Sequence, residues 1–275
     1  MVKTVSPAVP CPLALPGHPA MATRLHGRKA AGGAAPLVLH LHGGSFIGGD
    51  LDSGECMAQL LAESGAVVVS LAYPLAPAHP FPQAVEAVHA ALEWLYRQRT
   101  RVAGAGAQLF IAGEEAGGNL AAAVALMARD RAGPPLAGQV LVAPMLDPCN
   151  AMPSQREAVG EQTECRWSAG WKAYLASPRD AEHPYAVPAF VQRLAGLPPA
   201  LVLAGEDDAM RDEAMAYAAR LAQAGVSVRT ALVPSSGWPQ ALERPPEPCP
   251  CAEVARKHLQ AFLQAPTPPP SHAHP

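Results

Sequence analysis

The stretch IAGEEAGGNLAAAVAL, residues 111–126, decides the fold of this chain. An apolar and β-branched run at residues 108–112 stops at Gly113, and a segment of good helix formers, residues 119–129, begins just after the pair Gly117-Gly118. This order of residues predicts a strand, a tight turn that glycine permits, and a helix. The turn between the strand and the helix is therefore the first place to look for a functional site.

The alternation of strands and helices continues on both sides of this stretch. The predicted strands cover residues 37–42, 66–73, 108–112, 138–146, 200–206 and 226–233. The predicted helices cover residues 54–64, 82–99, 119–129, 211–225 and 251–264. Such an alternation favours the α/β class, with a mainly parallel central sheet flanked by helices. The loops that follow the strands at Ala112, Pro144, Gly205 and Val233 then lie at one edge of that sheet.

The length of 275 residues suits one domain of the larger α/β kind, or at most two small ones. Residues 1–35 are rich in Pro, Ala and Gly and predict an irregular N-terminal arm. Residues 36–264 carry the strand and helix pattern and form the predicted domain. Within it, residues 147–190 break the alternation and predict a short lid. Residues 265–275 are rich in proline and predict a disordered tail.

Composition and charge exclude several classes of protein. The net charge of −3 gives no argument for binding nucleic acid or an anionic membrane surface. No apolar run approaches the roughly 18 residues that cross a bilayer. The N-terminal segment is interrupted by prolines and lacks the core of a signal peptide. We therefore expect a cytoplasmic protein that binds neither nucleic acid nor membrane.

The cysteines and histidines give no pattern typical of a metal site. The six cysteines are scattered, and Cys249 and Cys251 have no second pair at zinc-site spacing. His272 and His274 lie in the proline-rich tail. We expect no metal and no cofactor.

The turn at residues 113–117 has the frame of a nucleophile elbow, G-x-S-x-G. In this chain the frame is Gly113-Glu114-Glu115-Ala116-Gly117, so a glutamate occupies the position of the serine. A serine there attacks a carbonyl carbon while a histidine accepts its proton and an aspartate orients the histidine. A glutamate cannot form a serine-type acyl-enzyme.

Several segments of the chain match the motifs of one family, in the family's order. The segment HLHGGSFIGGDLDS (40–53) is similar to an H-G-G-G oxyanion-hole motif, YPLAPAHPFPQAVEA (73–87) to Y-R-L-A-P-E-H-P-F-P, and GEEAGGNLA (113–121) to G-D-S-A-G-G-N-L-A; PMLD (144–147) and AGLPPALVLAGEDDAMRDE (195–213) match as well. On these motifs, residues 36–264 resemble the hormone-sensitive-lipase-like branch of the α/β-hydrolases. The resemblance implies an α/β-hydrolase fold and an ancestry among esterases and lipases.

The resemblance also places the oxyanion hole, whose backbone N–H groups stabilise the negative charge of the transition state. Its donors would be the backbone of Gly43, Gly44 and Ala116. Ser45 stands at the third glycine of the motif, and His42 is expected to shape the loop through hydrogen bonds. Glu114, where the family has an aspartate, is expected to be a solvated neighbour.

Two of the three triad positions differ from the family pattern. Asp208 corresponds to the aspartate and is retained, whereas Glu115 replaces the serine. The histidine position falls on Trp238 in an ungapped alignment, or on Ser236 when Gly237-Trp238 is matched to the family's Gly-Phe. Neither residue supplies an imidazole. Glu115 and Asp208 are therefore the candidate catalytic residues.

Glu115 is expected at a helix N-terminus that faces backbone N–H groups, so its carboxylate would fill or adjoin the oxyanion hole. Two interpretations stay open: a relic of lost activity, and a general base or ligand-binding carboxylate. Asp208 is expected to cap or bond a loop. Ser45, Ser235 and Ser236 are further candidate nucleophiles, although no base is evident beside any of them.

These substitutions govern the predicted function, because loss of triad members typically costs about 10⁴–10⁶ in rate. The leading prediction is a pseudo-hydrolase, without ordinary esterase activity, that binds a small ligand or partner in the former active-site pocket. A second hypothesis is a lyase, isomerase or cyclase with Glu115 as its base, and a third is a residual carboxylic-ester hydrolase. The sequence leaves the identity of the ligand and a homodimer open.

Overall fold

A computed structural model describes residue 9 and residues 11–29, 31–149, 151–159, 165–234 and 250–265. In these residues seven strands form one sheet, in the order β1-β3-β2-β4-β5-β6-β7, and helices cover both of its faces. The strands are β1 (Thr23–His26), β2 (Leu37–Leu41), β3 (Val67–Leu71), β4 (Leu109–Glu114), β5 (Gly138–Val142), β6 (Ala200–Gly205) and β7 (Val228–Val233). Only the pairing of β1 with β3 is antiparallel, so the predicted α/β class and its mainly parallel sheet are confirmed.

The helices follow the strands in the order that the sequence predicts. They are α1 (Glu55–Glu63), α2 (Gln83–Ala103), α3 (Ala116–Asp130), α4 (Pro153–Val159), α5 (Arg166–Tyr174), α6 (Arg211–Gln223) and α7 (Pro250–Leu263). Two short 3₁₀ helices lie between α5 and β6, at Pro178–Glu182 and Pro188–Phe190. None of the helices in the described part of the chain is both long enough and apolar enough to cross a membrane.

The central strands are buried on both faces because helices pack against each face. Every residue of β2, β3, β4, β5 and β6 is buried. Alternate side chains enter different cores: Leu39 joins the core formed with α2, α3 and α6, and Val38 joins the core formed with α1 and α7. Strands buried on both faces have continuous apolar sequences, and this explains why these strands could be predicted from the sequence.

Helix α3 lies at the centre of the molecule and is buried on all sides. Every residue from Ala116 to Ala128 is buried. Most of these residues are Ala or Gly, and small side chains allow the helix to lie close to the sheet. The helix therefore fixes the position of the turn that precedes it.

Some predicted boundaries differ from the structure. The arm predicted to be irregular, residues 1–35, includes strand β1, which pairs with the edge of the sheet through β3. Helix α3 begins at Ala116 and not at residue 119, because the elbow glycines continue into its first turn. The region predicted as a lid, residues 147–190, contains α4 and α5. The predicted disordered tail lies almost wholly outside the described residues.

Candidate active site

Glu115 occupies the turn between β4 and α3 in a strained backbone conformation. Its φ of 51° and ψ of −114° are unusual for a residue with a side chain. The flanking glycines make the turn sterically possible. A Cβ on Gly113 would lie 2.1 Å from the Gly117 carbonyl oxygen, and a Cβ on Gly117 would lie 2.3 Å from that of Leu41. The elbow predicted from residues 113–117 is thus present, with a glutamate at its tip.

The Glu115 carboxylate is buried and accepts hydrogen bonds on both oxygens. Oε2 accepts from the backbone N–H of Gly44 at 2.6 Å and of Ser45 at 3.2 Å. Oε1 accepts from the Ser45 Oγ at 2.9 Å, the Trp167 Nε1 at 2.7 Å and the Arg166 Nη2 at 3.2 Å. The residue is only 4% exposed. A buried carboxylate is stable only with such partners, and here a cation and four neutral donors supply them.

Of the three backbone donors that the resemblance implies, Gly43, Gly44 and Ala116, one donates to Glu115 in the described part of the chain. Gly44 donates as expected, and Ser45 supplies the second N–H. Gly43 contributes space instead, because a Cβ there would lie 3.0 Å from the Glu115 Oε2. Ala116 is the first residue of α3 and is fully buried behind the turn. The carboxylate therefore lies against one N–H group of the implied oxyanion hole, that of Gly44, and against the neighbouring N–H of Ser45.

The loop that carries these donors is held by His42 and Tyr73. The His42 ring stacks on the Tyr73 ring with centroids 4.4 Å apart, and the Tyr73 hydroxyl donates to the His42 carbonyl oxygen at 2.8 Å. The His42 Nδ1 lies 2.7 Å from the Gly43 carbonyl oxygen. Burial lowers the pKa of His42 to about 4, so the ring is neutral at pH 7 and donates to that carbonyl. His42 is thus a structural residue of the loop.

Helix α5 covers the site and packs directly on the donor loop. A Cβ on Gly170 would lie 2.1 Å from the Ser45 carbonyl oxygen, so the helix touches the backbone of the loop. The next residue of the loop, Phe46, stacks on the Tyr174 ring with centroids 4.0 Å apart and contacts Trp171. The aromatic residues of this helix therefore hold it against the active-site loop.

Asp208 lies in the turn after β6 and is 3% exposed. Its Oδ1 accepts from the Met210 backbone N–H at 2.7 Å, whereas its Oδ2 is buried without a hydrogen-bond partner in the described part of the chain. Burial, with a smaller contribution from the nearby charge of Glu115, raises the pKa of Asp208 to about 7. Its bond to Met210 is the loop contact expected from the sequence.

Two other predicted positions have different outcomes. Trp238 and Ser236, the alternatives for the histidine position, lie outside the described residues, and residues 235–249 contain no histidine.

The prediction that Glu114 is a solvated neighbour is wrong, because it is 6% exposed and its Oε1 lies 3.6 Å from the His40 Nε2. It is the last residue of β4, so period-two alternation places it on the face opposite to its neighbour Glu115.

Sequence reasoning missed one residue that contacts the site. Arg166 reaches Glu115 from the first turn of α5, and no motif marks it. Trp167 follows Arg166 on the same helix, and its N–H is the closest side-chain donor to Glu115. Within the described ranges, no group of three or more His, Cys, Asp or Glu side chains could hold a metal ion.

The fold and this elbow define the class of protein. A family model described as an alpha/beta hydrolase fold matches residues 38–237, which is most of the chain. The chain therefore belongs to the α/β-hydrolase family, in its hormone-sensitive-lipase-like branch of esterases and lipases.

Relatives within this family are named as esterases. The chain is 37% identical to Esterase LipI of Mycobacterium tuberculosis over 199 residues. This match covers 70% of this chain and 62% of LipI. It is 34% identical to Carboxylic ester hydrolase LipN of the same organism over 231 residues, a match that covers 78% of this chain and 60% of LipN. A solved structure named Bacterial Heroin Esterase superimposes with a TM-score of 0.79 at 32% identity, covering 93% of this chain and 83% of that one. The matched part of the chain thus spans less than two thirds of the length of LipI and of LipN.

The prediction of a pseudo-hydrolase is wrong on this comparison. Relatives that are 34–37% identical are named as esterases or carboxylic ester hydrolases, so the similarity points to esterase activity. The prediction rested on the residue types at two triad positions and not on the structural framework around them. That framework keeps the strained elbow, the backbone donors of the neighbouring loop and a covered, polar site.

Proposed function

We propose that this protein is a carboxylic-ester hydrolase in which Glu115 is the general base. The observation that carries the proposal is the similarity, over most of the chain, to proteins that are named as esterases. The elbow supports it, because it presents a carboxylate at the position from which the family's nucleophile reacts. Family resemblance alone would not assign the residue, and the hydrogen bonds around Glu115 are what single it out.

The proposed role uses the ordinary chemistry of a carboxylate. Ester hydrolysis needs a group that accepts a proton as a hydroxyl attacks the carbonyl carbon, and that returns the proton to the departing alcohol. Glu115 Oε1 already accepts a hydrogen bond from one hydroxyl, that of Ser45. The other oxygen, Oε2, is held by backbone N–H groups, so the carboxylate has a fixed orientation. Fixed orientation is what makes general-base catalysis efficient.

The surroundings of the site favour small esters as the substrate class. Glu115 and Ser45 are buried, whereas Gly43 and Gly44 are partly exposed and the Arg166 side chain is 46% exposed. These last three residues form the border through which a substrate would enter. The aromatic packing of α5 against Phe46 restricts the space beside Ser45. We therefore expect short acyl groups to be preferred over long ones.

The proposal is tested by measuring hydrolysis of p-nitrophenyl acetate, butyrate and decanoate with purified protein. Wild type is expected to turn over the short esters above the rate in buffer. The variant Glu115→Gln keeps the shape of the side chain but removes its basicity, so kcat/KM should fall by about 100-fold or more.

The matched control is Glu114→Gln, since Glu114 is an adjacent buried glutamate that faces His40 on the other side of the sheet. Its kcat/KM should stay within a few-fold of wild type, with both variants checked for folding by circular dichroism. If wild type gives no hydrolysis above buffer with any of the three esters, the proposed function is overturned. If Glu115→Gln is as active as wild type, Glu115 is not the base.

A further inference from the structure

The Ser45 hydroxyl and the Glu115 carboxylate form a buried pair. The Ser45 Oγ donates to the Glu115 Oε1 at 2.9 Å, and both residues are less than a twentieth exposed. On sequence alone, no base was evident beside any loop serine. The structure corrects this, because the base lies in a different segment of the chain and reaches Ser45 across the site. A hydroxyl within hydrogen-bond distance of a base is the arrangement expected of an activated nucleophile.

The backbone of Ser45 is strained as well as buried. Ser45 has a φ of 53° and its neighbour Phe46 a φ of 65°, in the region that residues with side chains rarely adopt. Packing of Gly170 on Ser45 and stacking of Tyr174 on Phe46 hold this conformation. Glycine would relieve the strain, so a serine at this position carries a local conformational cost. Such residues cluster at functional sites.

We propose that Ser45 is the nucleophile of this esterase and that Glu115 is its base. The inference rests on the proposed function and names its attacking group. Compared with the family motif, the hydroxyl has moved from the elbow to the loop after β2, and the elbow now carries the proton acceptor. The family's loop glycine and elbow serine have thus been replaced by a complementary pair.

The proposed reaction balances without any further reactant. The Ser45 Oγ bonds to the ester carbonyl carbon while Glu115 Oε1 takes its proton. The tetrahedral intermediate collapses as the C–O bond to the alcohol breaks, and the alcohol oxygen leaves with the proton from Glu115. Water then attacks the acyl-serine and gives a proton to Glu115. Collapse of the second intermediate releases the carboxylic acid, and the proton returns to Ser45.

The donors on α5 supply stabilisation for the negative charge that develops on the carbonyl oxygen. Trp167 Nε1 and Arg166 Nη2 both point at Oε1 of Glu115, beside the Ser45 hydroxyl. Once Oε1 becomes protonated it no longer attracts these donors strongly, and the adjacent oxyanion does. The backbone N–H groups of Gly44 and Ser45 keep Oε2 in place throughout.

Direct attack by the Glu115 carboxylate is the competing route. It would form a mixed anhydride at Glu115 and leave Ser45 without a role. The observed hydrogen bonds disfavour it, because protein donors occupy both oxygens of Glu115 and would have to move away before either oxygen could reach a carbonyl carbon. In the described part of the chain the Ser45 Oγ makes no hydrogen bond besides the one it donates to Glu115, so its lone pairs are available for attack.

The experiment is covalent labelling with a fluorophosphonate, followed by mass spectrometry of proteolytic peptides. The reagent forms a bond between the serine oxygen and phosphorus and releases fluoride, and it needs no turnover of ester. The label is expected on Ser45. Labelling of Glu115→Gln should be slower by about 100-fold, because the base is absent. The esterase assay is run in parallel on the same preparations.

Two variants separate the chemical role of Ser45 from a structural one. Ser45→Gly matches the family motif and suits a positive φ, so it is expected to fold at least as well as wild type while losing about 10³-fold or more in kcat/KM. Ser227→Ala changes an exposed serine just before β7, at the edge of the sheet opposite to the site, and should keep both label and activity. Label on another residue, or Ser45→Gly with wild-type kcat/KM, overturns the assignment while leaving the proposed function standing. Absence of ester turnover in wild type overturns the function itself.

Discussion

The indole N–H of Trp167 donates to Oε1 of Glu115 at 2.7 Å, so the elbow is bonded directly to the helix that covers it. Arg166, the preceding residue, donates to the same oxygen at 3.2 Å. The opposite end of α5 is held by a different force, the stacking of Tyr174 on Phe46. One end of the covering helix therefore depends on the charge at position 115, and the other end does not.

The first prediction is that removal of the carboxylate loosens α5. Glu115→Ala leaves Trp167 and Arg166 without their acceptor, and losing hydrogen bonds to a charged group costs roughly 1–3 kcal/mol each. Hydrogen exchange in a peptide that covers residues 166–174 should therefore become at least about fivefold faster. Trp167→Phe removes one donor and keeps the ring, so its effect should be smaller. Equal exchange in wild type and Glu115→Ala would contradict the coupling.

The second prediction concerns the pH dependence of stability at Asp208. Burial raises the pKa of Asp208 from 3.8 to about 7, so the folded protein holds this proton more tightly than the unfolded chain. The group stabilises the fold below about pH 4, and this contribution is lost as the pH rises through about 7. Asp208→Asn is neutral throughout. From pH 5 to pH 7, wild type should lose roughly 2–3 kcal/mol of unfolding free energy relative to this variant.

Urea denaturation at several pH values measures this difference. Glu206→Gln, an exposed neighbour in the same turn, serves as the control and should follow wild type at every pH. A constant gap between Asp208→Asn and wild type across this range would show that the pKa of Asp208 is not raised by folding.

The third prediction is that the elbow tolerates no side chain at Gly117. A Cβ there would lie 2.3 Å from the carbonyl oxygen of Leu41 and 2.4 Å from that of His42, both on β2 or its end. Because neither backbone can move without disturbing the central sheet, Gly117→Ala should lower stability by about 3 kcal/mol or more. Gly133→Ala is the control, since its nearest contact is an ordinary 3.4 Å. Equal melting temperatures for the two variants would refute the steric argument.

The fourth prediction tests the aromatic contact under α5. Phe46 is 1% exposed and stacks on Tyr174, so Phe46→Ala should cost about 3–5 kcal/mol of unfolding free energy. Phe190→Ala removes the same atoms from a side chain in a residue that is 48% exposed, and should cost no more than about 0.5 kcal/mol. Chemical denaturation measures both. A similar loss in the two variants would mean that Phe46 does not hold the loop.

Much of the fold could be predicted because its features are local in sequence. The strands around Val38 and Val68 are buried on both faces and are therefore continuous apolar runs. The elbow could be predicted because only glycine fits at Gly113 and Gly117, whichever residue lies between them. Strand β1 was missed, because it is four residues long, includes Arg24 and His26, and pairs only at the edge of the sheet.

The site was less predictable because its contacts join distant segments. Ser45 and Glu115 come from different strand ends, and no local pattern shows that they meet. Arg166 reaches the site only because packing of Gly170 on the loop fixes the direction of α5. The burial of Glu114 was open to prediction, since alternation along a strand buried on both faces places its side chain inside the molecule.

The complete burial of α3 has a consequence for how this protein can change. Its small side chains leave little space for movement, and Gly117 in its first turn packs on the backbone at the end of β2. The backbone of residue 115 therefore stays at one point whatever side chain it carries. A substitution at position 115 therefore changes the reactive side chain without moving it. New chemistry in this fold then requires only that the surrounding loops supply a partner for the new side chain.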